Sequence, residues 1–196
     1  MPDFRPLNEL LKATSRSFYL TLRVLPAPVR SQIGLAYLLA RATDTVADTE
    51  ILPVEQRLAA LQKLREHILG QSSLPLNFGD FARQQGSPAE KSLLEKIEDA
   101  LAALNPFSAA DQKLIRDVLA TITSGQELDL RRFAGATDGN IIALKTAAEL
   151  DDYTYRVAGC VGEFWTKICR AHLFPTARLD EKQFIWDNIR FGKGLQ

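Results

Sequence analysis

No stretch of the sequence approaches the roughly 18 consecutive apolar residues of a membrane-spanning helix. Its start, MPDFRPLNELLK, has no basic flank followed by an apolar run, so no secretory leader is read there. A soluble chain is expected, with a peripheral membrane contact left open. Cysteine is scarce: Cys160 and Cys169 lack the CxxC spacing of a metal or redox site and lie in an apolar helical segment. They are expected to be buried thiols in a reducing compartment, which favours the cytoplasm. Net charge is absent too, because 24 Lys and Arg balance 24 Asp and Glu. No overall field draws the chain to nucleic acid, so any phosphate binding must be local. Repeats, low-complexity tracts, linkers and alternating strand pairs are also missing.

What remains is helix. The 196 residues, 46% hydrophobic and 24% charged, suit one globular domain over 1–196 with a substantial core. Periodicity predicts a helix over 7–13, a short one from Phe18 to before Pro26, and a third from Pro28 through Asp48. Another starts at Pro53 and closes at Gly70, followed by a polar loop over 71–86. Ser87-Pro88-Ala89-Glu90 reads as N-cap, first-turn proline and capping-box glutamate of a helix ending near Asn105. Ser108 and Asp111 start a long helix to Phe133, in which Gly125 is a weak point. Two more are expected, over 140–173 with a break near Asp151 and over 175–191.

The third helix carries the clearest chemical signal. Tyr37, Arg41, Asp44 and Asp48 fall at i, i+4, i+7 and i+11, which keeps them on one helix face. Leu35, Leu38, Leu39 and Val46 point elsewhere, so a helix packed on several sides would turn this stripe into an internal cavity. Asp44 and Asp48 stand one turn apart, about 6 Å along the axis, and repel unless a cation lies between them. Mg²⁺ is held through one or two carboxylates plus substrate phosphates, and Arg41 could donate to the same phosphate oxygens. Two aspartates at this spacing are also common on solvated faces, and Arg41 with Asp44 would suit a structural ion pair. Spacing alone leaves both readings open.

A second constellation runs from Asp152 to Gly162. Ala158, Gly159 and Gly162 form a smooth patch, and each helical glycine costs roughly 1 kcal/mol relative to alanine. Close approach of another helix is one explanation, contact with a long apolar ligand the other. Tyr153 is a core residue or a cavity-facing phenol.

These segments resemble the squalene and phytoene synthase family, the head-to-head prenyl synthases. Ser15-Arg16-Ser17-Phe18-Tyr19 resembles its SRSF element, residues 37–48 its YxxxRAxDxxxD motif, and residues 153–162 its YxxxVAGxVG motif. The Arg-Ala pair before Asp44 and the DTVAD run look more like squalene synthases than plant-type phytoene synthases. The resemblance implies an all-α, isoprenoid-synthase-type helical bundle. It also implies condensation of two prenyl diphosphates through a cyclopropyl diphosphate, farnesyl diphosphate to squalene foremost, with phytoene or dehydrosqualene as the alternative product. On this basis Asp44 and Asp48 would hold Mg²⁺ and assist departure of the diphosphate, while Arg16, Ser17, Tyr37 and Arg41 would bind it. Tyr153 would stand near the cationic intermediates as a catalytic residue. Val157, Ala158, Gly159 and Val161 would shape the prenyl channel. Family members continue into a second acidic motif, QxxNxxRDxxxD, of which Gln196 would be the first residue. The chain is therefore expected to be the first two thirds of the usual domain. The C-terminal helices and the regions tied to NADPH would be missing, and the chain alone would be inactive. A non-catalytic relative with an assembly or scaffold role is the reading from another class. Oligomeric state is not legible. His67 and His172 are read as surface or packing residues and Trp165 and Trp186 as core or interface aromatics. Gln126-Glu127-Leu128-Asp129 could place an acidic side chain near the cavity, with a solvated helix end as the favoured reading.

Overall fold

The computed structural model describes residues 5–15 and 18–196. Among them all regular structure is helical, with one isolated bridge between Thr137 and Asn140. The elements in order are α1 (Arg5–Ser15), α2 (Phe18–Val24), α3 (Ala27–Ala47), α4 (Val54–Ile68), α5 (Gly79–Gln84) and α6 (Pro88–Glu95). Then come α7 (Ile97–Ala102), α8 (Ala109–Arg132), α9 (Ala147–Thr154), a π-helical turn (Tyr155–Gly159), α10 (Cys160–His172) and α11 (Glu181–Leu195).

The axis of the bundle is α3, which packs against α1, α2, α4, α6, α7, α8 and α10. A helix apolar nearly all round must be covered on most sides. Leu35, Leu38, Leu39, Ala42 and Val46 are each at most 1% exposed. Each such leucine contributes roughly 1.5–3 kcal/mol by leaving water. The threonines of this core satisfy their hydroxyls on the helix itself: Thr43 donates to Ala40 O at 2.8 Å, Thr45 to Arg41 O at 2.9 Å and Thr49 to Thr45 O at 2.6 Å. Buried Asp111 of α8 accepts from Gln32 of α3 at 3.3 Å and pairs with His172 of α10 at 2.7 Å. One carboxylate thus ties together the three helices that wall the site, and His172 has a specific partner rather than a surface role.

Several helix ends form where the sequence signals place them. Gly70 takes φ +71°, and the N–H groups of Gly70 and Gln71 return to His67 O and Glu66 O, the closing pattern of a helix whose last glycine is left-handed. Ser108 accepts from the Asp111 N–H at 3.1 Å. Ser87 accepts from the Glu90 N–H, but the Glu90 carboxylate is engaged with Arg41 instead of closing a capping box.

Other expectations need correction. The loop over 71–86 contains α5, whose Phe81 and Ala82 are buried. The helix expected from Ser87 to Asn105 breaks at Lys96 (φ −108°, ψ 21°) into α6 and α7. The helix expected from Asn140 starts at Ala147, where Thr146 and Glu149 form a reciprocal capping box. The last helix begins at Glu181 rather than Pro175, because the Asp180 carboxylate accepts from the Gln183 N–H at 3.1 Å. The irregularity expected near Asp151 is the π-turn four residues later.

Candidate functional site

Along α3 from Tyr37 to Asp48, only Tyr37, Ala40, Arg41, Asp44 and Asp48 escape full burial. The polar stripe is therefore the one open face of this stretch. It lines a cavity of about 270 Å³ formed by Tyr37, Ala40, Arg41 and Asp44 of α3, Ile122, Gln126 and Asp129 of α8, and Arg156, Val157 and Val161 across from them. A second compartment of about 110 Å³ is almost wholly apolar, with Phe18, Ile33, Phe164 and Trp165 in its walls. The two share Tyr37, Ala40, Ile122 and Val161. A polar chamber thus adjoins an apolar one, the shape that suits a ligand with a charged head and a hydrocarbon tail.

Asp48 caps α3, its N–H bonding Asp44 O at 2.8 Å. Its carboxyl faces a neighbouring space of about 540 Å³ with Arg57 and Phe133, and Gln126 and Asp129 line both spaces. The Asp44 carboxyl is pushed up to about 6, chiefly by burial and then by the Asp48 charge, against the pull of Gln126 and Arg41. Asp48 is open to solvent as a residue, yet its carboxyl is also raised, burial against the turn outweighing the pull of Arg41 and Arg57. Both acids stand at the C-terminal end of α3, the end whose dipole disfavours anions, with no basic residue in the last turn. Two destabilised carboxylates one turn apart form a site that a divalent cation would relieve. Among the described residues no three His, Cys, Asp or Glu side chains gather into a ready-made metal cage.

Arg41 reaches Glu90 of α6 rather than Asp44, so the i, i+3 pair is not what holds it. Its Nε is buried without a hydrogen-bond partner. Tyr37 stacks on Phe18 with ring centroids 4.8 Å apart. Of the residues expected from sequence, Tyr37, Arg41, Asp44, Val157 and Val161 come together, with Asp48 adjoining. Ala158 and Gly159 go elsewhere: they face α11. A Cβ on Gly192 would stand 2.6 Å from Ala158 O, and one on Gly162 would stand 2.2 Å from Asn188 O. The smooth patch packs its backbone on α11, and Ala158 and Gly159 are not in the wall of the Asp44 cavity. Tyr153 is half-buried on α9 and is not in the wall of the Asp44 cavity. Gln196 is exposed at the end of α11. Arg16 and Ser17 lie outside the described residues.

The helix α8 is where the sequence places it, but the part that Gln126 and Asp129 play at the site is not expected from sequence. Gln126 donates to Asp44 Oδ1, and its Oε1 is buried without a partner. Asp129 is raised by burial against the pull of Arg132 and Arg156. The signal was available: Gly125, Gln126 and Asp129 lie at i, i+1 and i+4, and Gly125 marks a close approach.

The squalene/phytoene synthase profile matches residues 11–196. The squalene synthase of Saccharomyces cerevisiae is 24% identical over 181 residues, 92% of this chain and 38% of its own. The Botryococcus squalene synthase of Botryococcus braunii is 30% identical over 163 residues, 81% of this chain and 30% of its own. Inactive squalene synthase 2 of Arabidopsis thaliana is 26% identical over 186 residues, 95% of this chain and 40% of its own. Among solved structures, the complex of TcSQS with the ligand E5700 aligns with a TM-score of 0.74 at 25% identity, covering 97% of this chain and 50% of that one. The chain thus spans at most half the length of these relatives. The profile match over nearly the whole chain, joined to this fold and site, shows that it belongs to the squalene/phytoene synthase family.

Proposed function

We propose that the protein carrying this chain condenses two prenyl diphosphates head to head with Mg²⁺, farnesyl diphosphate to presqualene diphosphate and squalene being the favoured case. One observation carries the reading: the polar chamber holding Asp44 and Arg41 shares a wall with an apolar one. Squalene synthases predominate among the similar proteins, which favours that product class.

The residues present fit the metal. Asp44 and Asp48 are paired acids whose carboxyls burial raises despite the pull of Arg41, and the buried Gln126 Oε1 has no donor. Asp44 and Asp48 would hold Mg²⁺, which when bound supplies charge neutralisation to a departing diphosphate. Gln126 fixes one Asp44 oxygen and so sets the direction of the other. Arg41, anchored by Glu90, lines the same chamber. Ala40, Ile122, Val157 and Val161 exclude water from the zone where a carbocation would form. Tyr153 as a catalytic residue and NADPH as a reductant belong to this proposal on the resemblance alone.

The test is pyrophosphate release from farnesyl or geranylgeranyl diphosphate by the native protein. Asp48→Asn, which removes charge at nearly constant shape, should lower turnover at least about a hundredfold; unchanged turnover removes the metal role. Product analysis with and without NADPH separates squalene from dehydrosqualene or phytoene. For a non-catalytic role, of which a scaffold is one form, the support is that a similar protein of Arabidopsis thaliana is named an inactive squalene synthase. Absence of pyrophosphate release with every prenyl diphosphate offered would favour that role.

A further inference from the structure

We infer that Arg156 is a second diphosphate-binding residue, gripping the phosphate oxygens from the wall opposite the α3 stripe. The inference rests on the proposed function and deepens it.

Arg156 lies in the π-turn and lines the same cavity as Tyr37, Arg41 and Asp44. Its Nε donates to both Asp152 oxygens at 3.0 and 2.9 Å, and its Nη1 to Ser124 Oγ of α8 at 2.7 Å. Those bonds engage Nε and Nη1 and leave Nη2 to meet an oxyanion. The side chain is 31% exposed, so a ligand can reach it while much of its hydration is already gone. An arginine in that state, charged at any working pH and forked, suits a phosphate better than any other side chain.

Three features separate this from an ordinary surface pair. Arg156 with Asp152 alone would be an i, i+4 ion pair of the kind that contributes little. Here the arginine is also tethered to a different helix through Ser124. Its seat depends on Gly125, where a Cβ would stand 2.9 Å from the Arg156 Cβ. The backbone around it departs from α-helix, the Cys160 N–H reaching back five residues to Tyr155 O. Such turns gather at functional sites because they re-aim side chains. A diphosphate keeps net negative charge after one divalent cation binds it, and Arg41 lines the same chamber. Arg41 and Arg156 then stand on two sides of one anion.

The experiment measures binding of inorganic pyrophosphate with Mg²⁺ to the native protein by calorimetry, with melting temperatures in parallel. Arg156→Gln should weaken binding at least about tenfold, Arg156→Lys should fall between, and Asp152→Asn, which keeps the guanidinium, should bind no more weakly than wild type. A structural pair would behave otherwise: Arg156→Gln and Asp152→Asn would lower the melting temperature alike and leave pyrophosphate binding unchanged, which would overturn the inference. Wild-type protein that binds no Mg²⁺–pyrophosphate would sink the proposed function with it. Wild-type binding that Arg156→Gln leaves intact would sink the inference alone. The same loss with an unreactive prenyl thiolodiphosphate assigns Arg156 to the substrate head group, and a loss confined to pyrophosphate assigns it to the departed product.

Discussion

The stripe on α3 and the segment from Tyr153 to Gly162 are both helical and both carry family-like motifs, yet only in the first do the motif residues share one open face. On α3 the helix is regular from Ala27 to Ala47, so i, i+4, i+7 and i+11 became one open face. In the second segment the π-turn inserts a residue, which rotates the side chains beyond it by about 100°. Arg156, Val157 and Val161 enter the cavity, Ala158, Gly159 and Gly162 meet α11, and Tyr155 turns away to donate to Glu163 at 2.9 Å. Period-based reasoning holds only where the period holds.

The strongest way to break this contrast is at the α11 interface. Gly162→Ala places a methyl 2.2 Å from Asn188 O, backbone that cannot yield as a side chain would. We expect a loss of about 3 kcal/mol, a fall of roughly 10 °C in Tm, measured by calorimetry. A melting point within a degree or two of wild type would return the patch to a ligand-lining role.

On the α3 side the sharper probe is pH. Folded Asp44 titrates at about 6, above the ordinary carboxylate value of 3.8. Between those values the folded chain holds a proton that the unfolded chain has lost, so stability declines as pH rises through that window. The decline amounts to at most about 3 kcal/mol, with Asp48 and Asp129 adding in the same direction. Urea unfolding in EDTA at pH 4.5 and 7 should show it, and Asp44→Asn should flatten most of it. A profile with the same slope in the variant would mean that Asp44 is not the strained acid.

The smallest effect tests the contact of the α3 stripe with α8, the helix that also tethers Arg156. Gln126→Leu removes the hydrogen bond that lowers the Asp44 titration. Its midpoint, followed by carboxyl carbon NMR, should rise further above 6, and stability at pH 7 should fall by about 1 kcal/mol. A midpoint that drops would show that Gln126 does not hold the carboxylate.

Helix termini are legible at Gly70 and Ser108, where a local group coincides with the edge of the apolar period, but not at Thr146 and Asp180, whose equally local caps lie inside a longer helical pattern. Half of the site was legible on the same ground: Tyr37, Arg41, Asp44 and Asp48 are neighbours within one helix, and helix geometry is fixed by backbone hydrogen bonding. The partners were not. Glu90 for Arg41, Gln126 for Asp44 and Ser124 for Arg156 come from positions 49, 82 and 32 residues distant in the chain. The sequence by itself determined that the chain is all-helical and that one face of α3 would carry paired acids. Only the tertiary structure decided which side chains close the chamber and that the glycine patch belongs to packing, because those outcomes depend on how helices approach one another, and no local spacing encodes that distance.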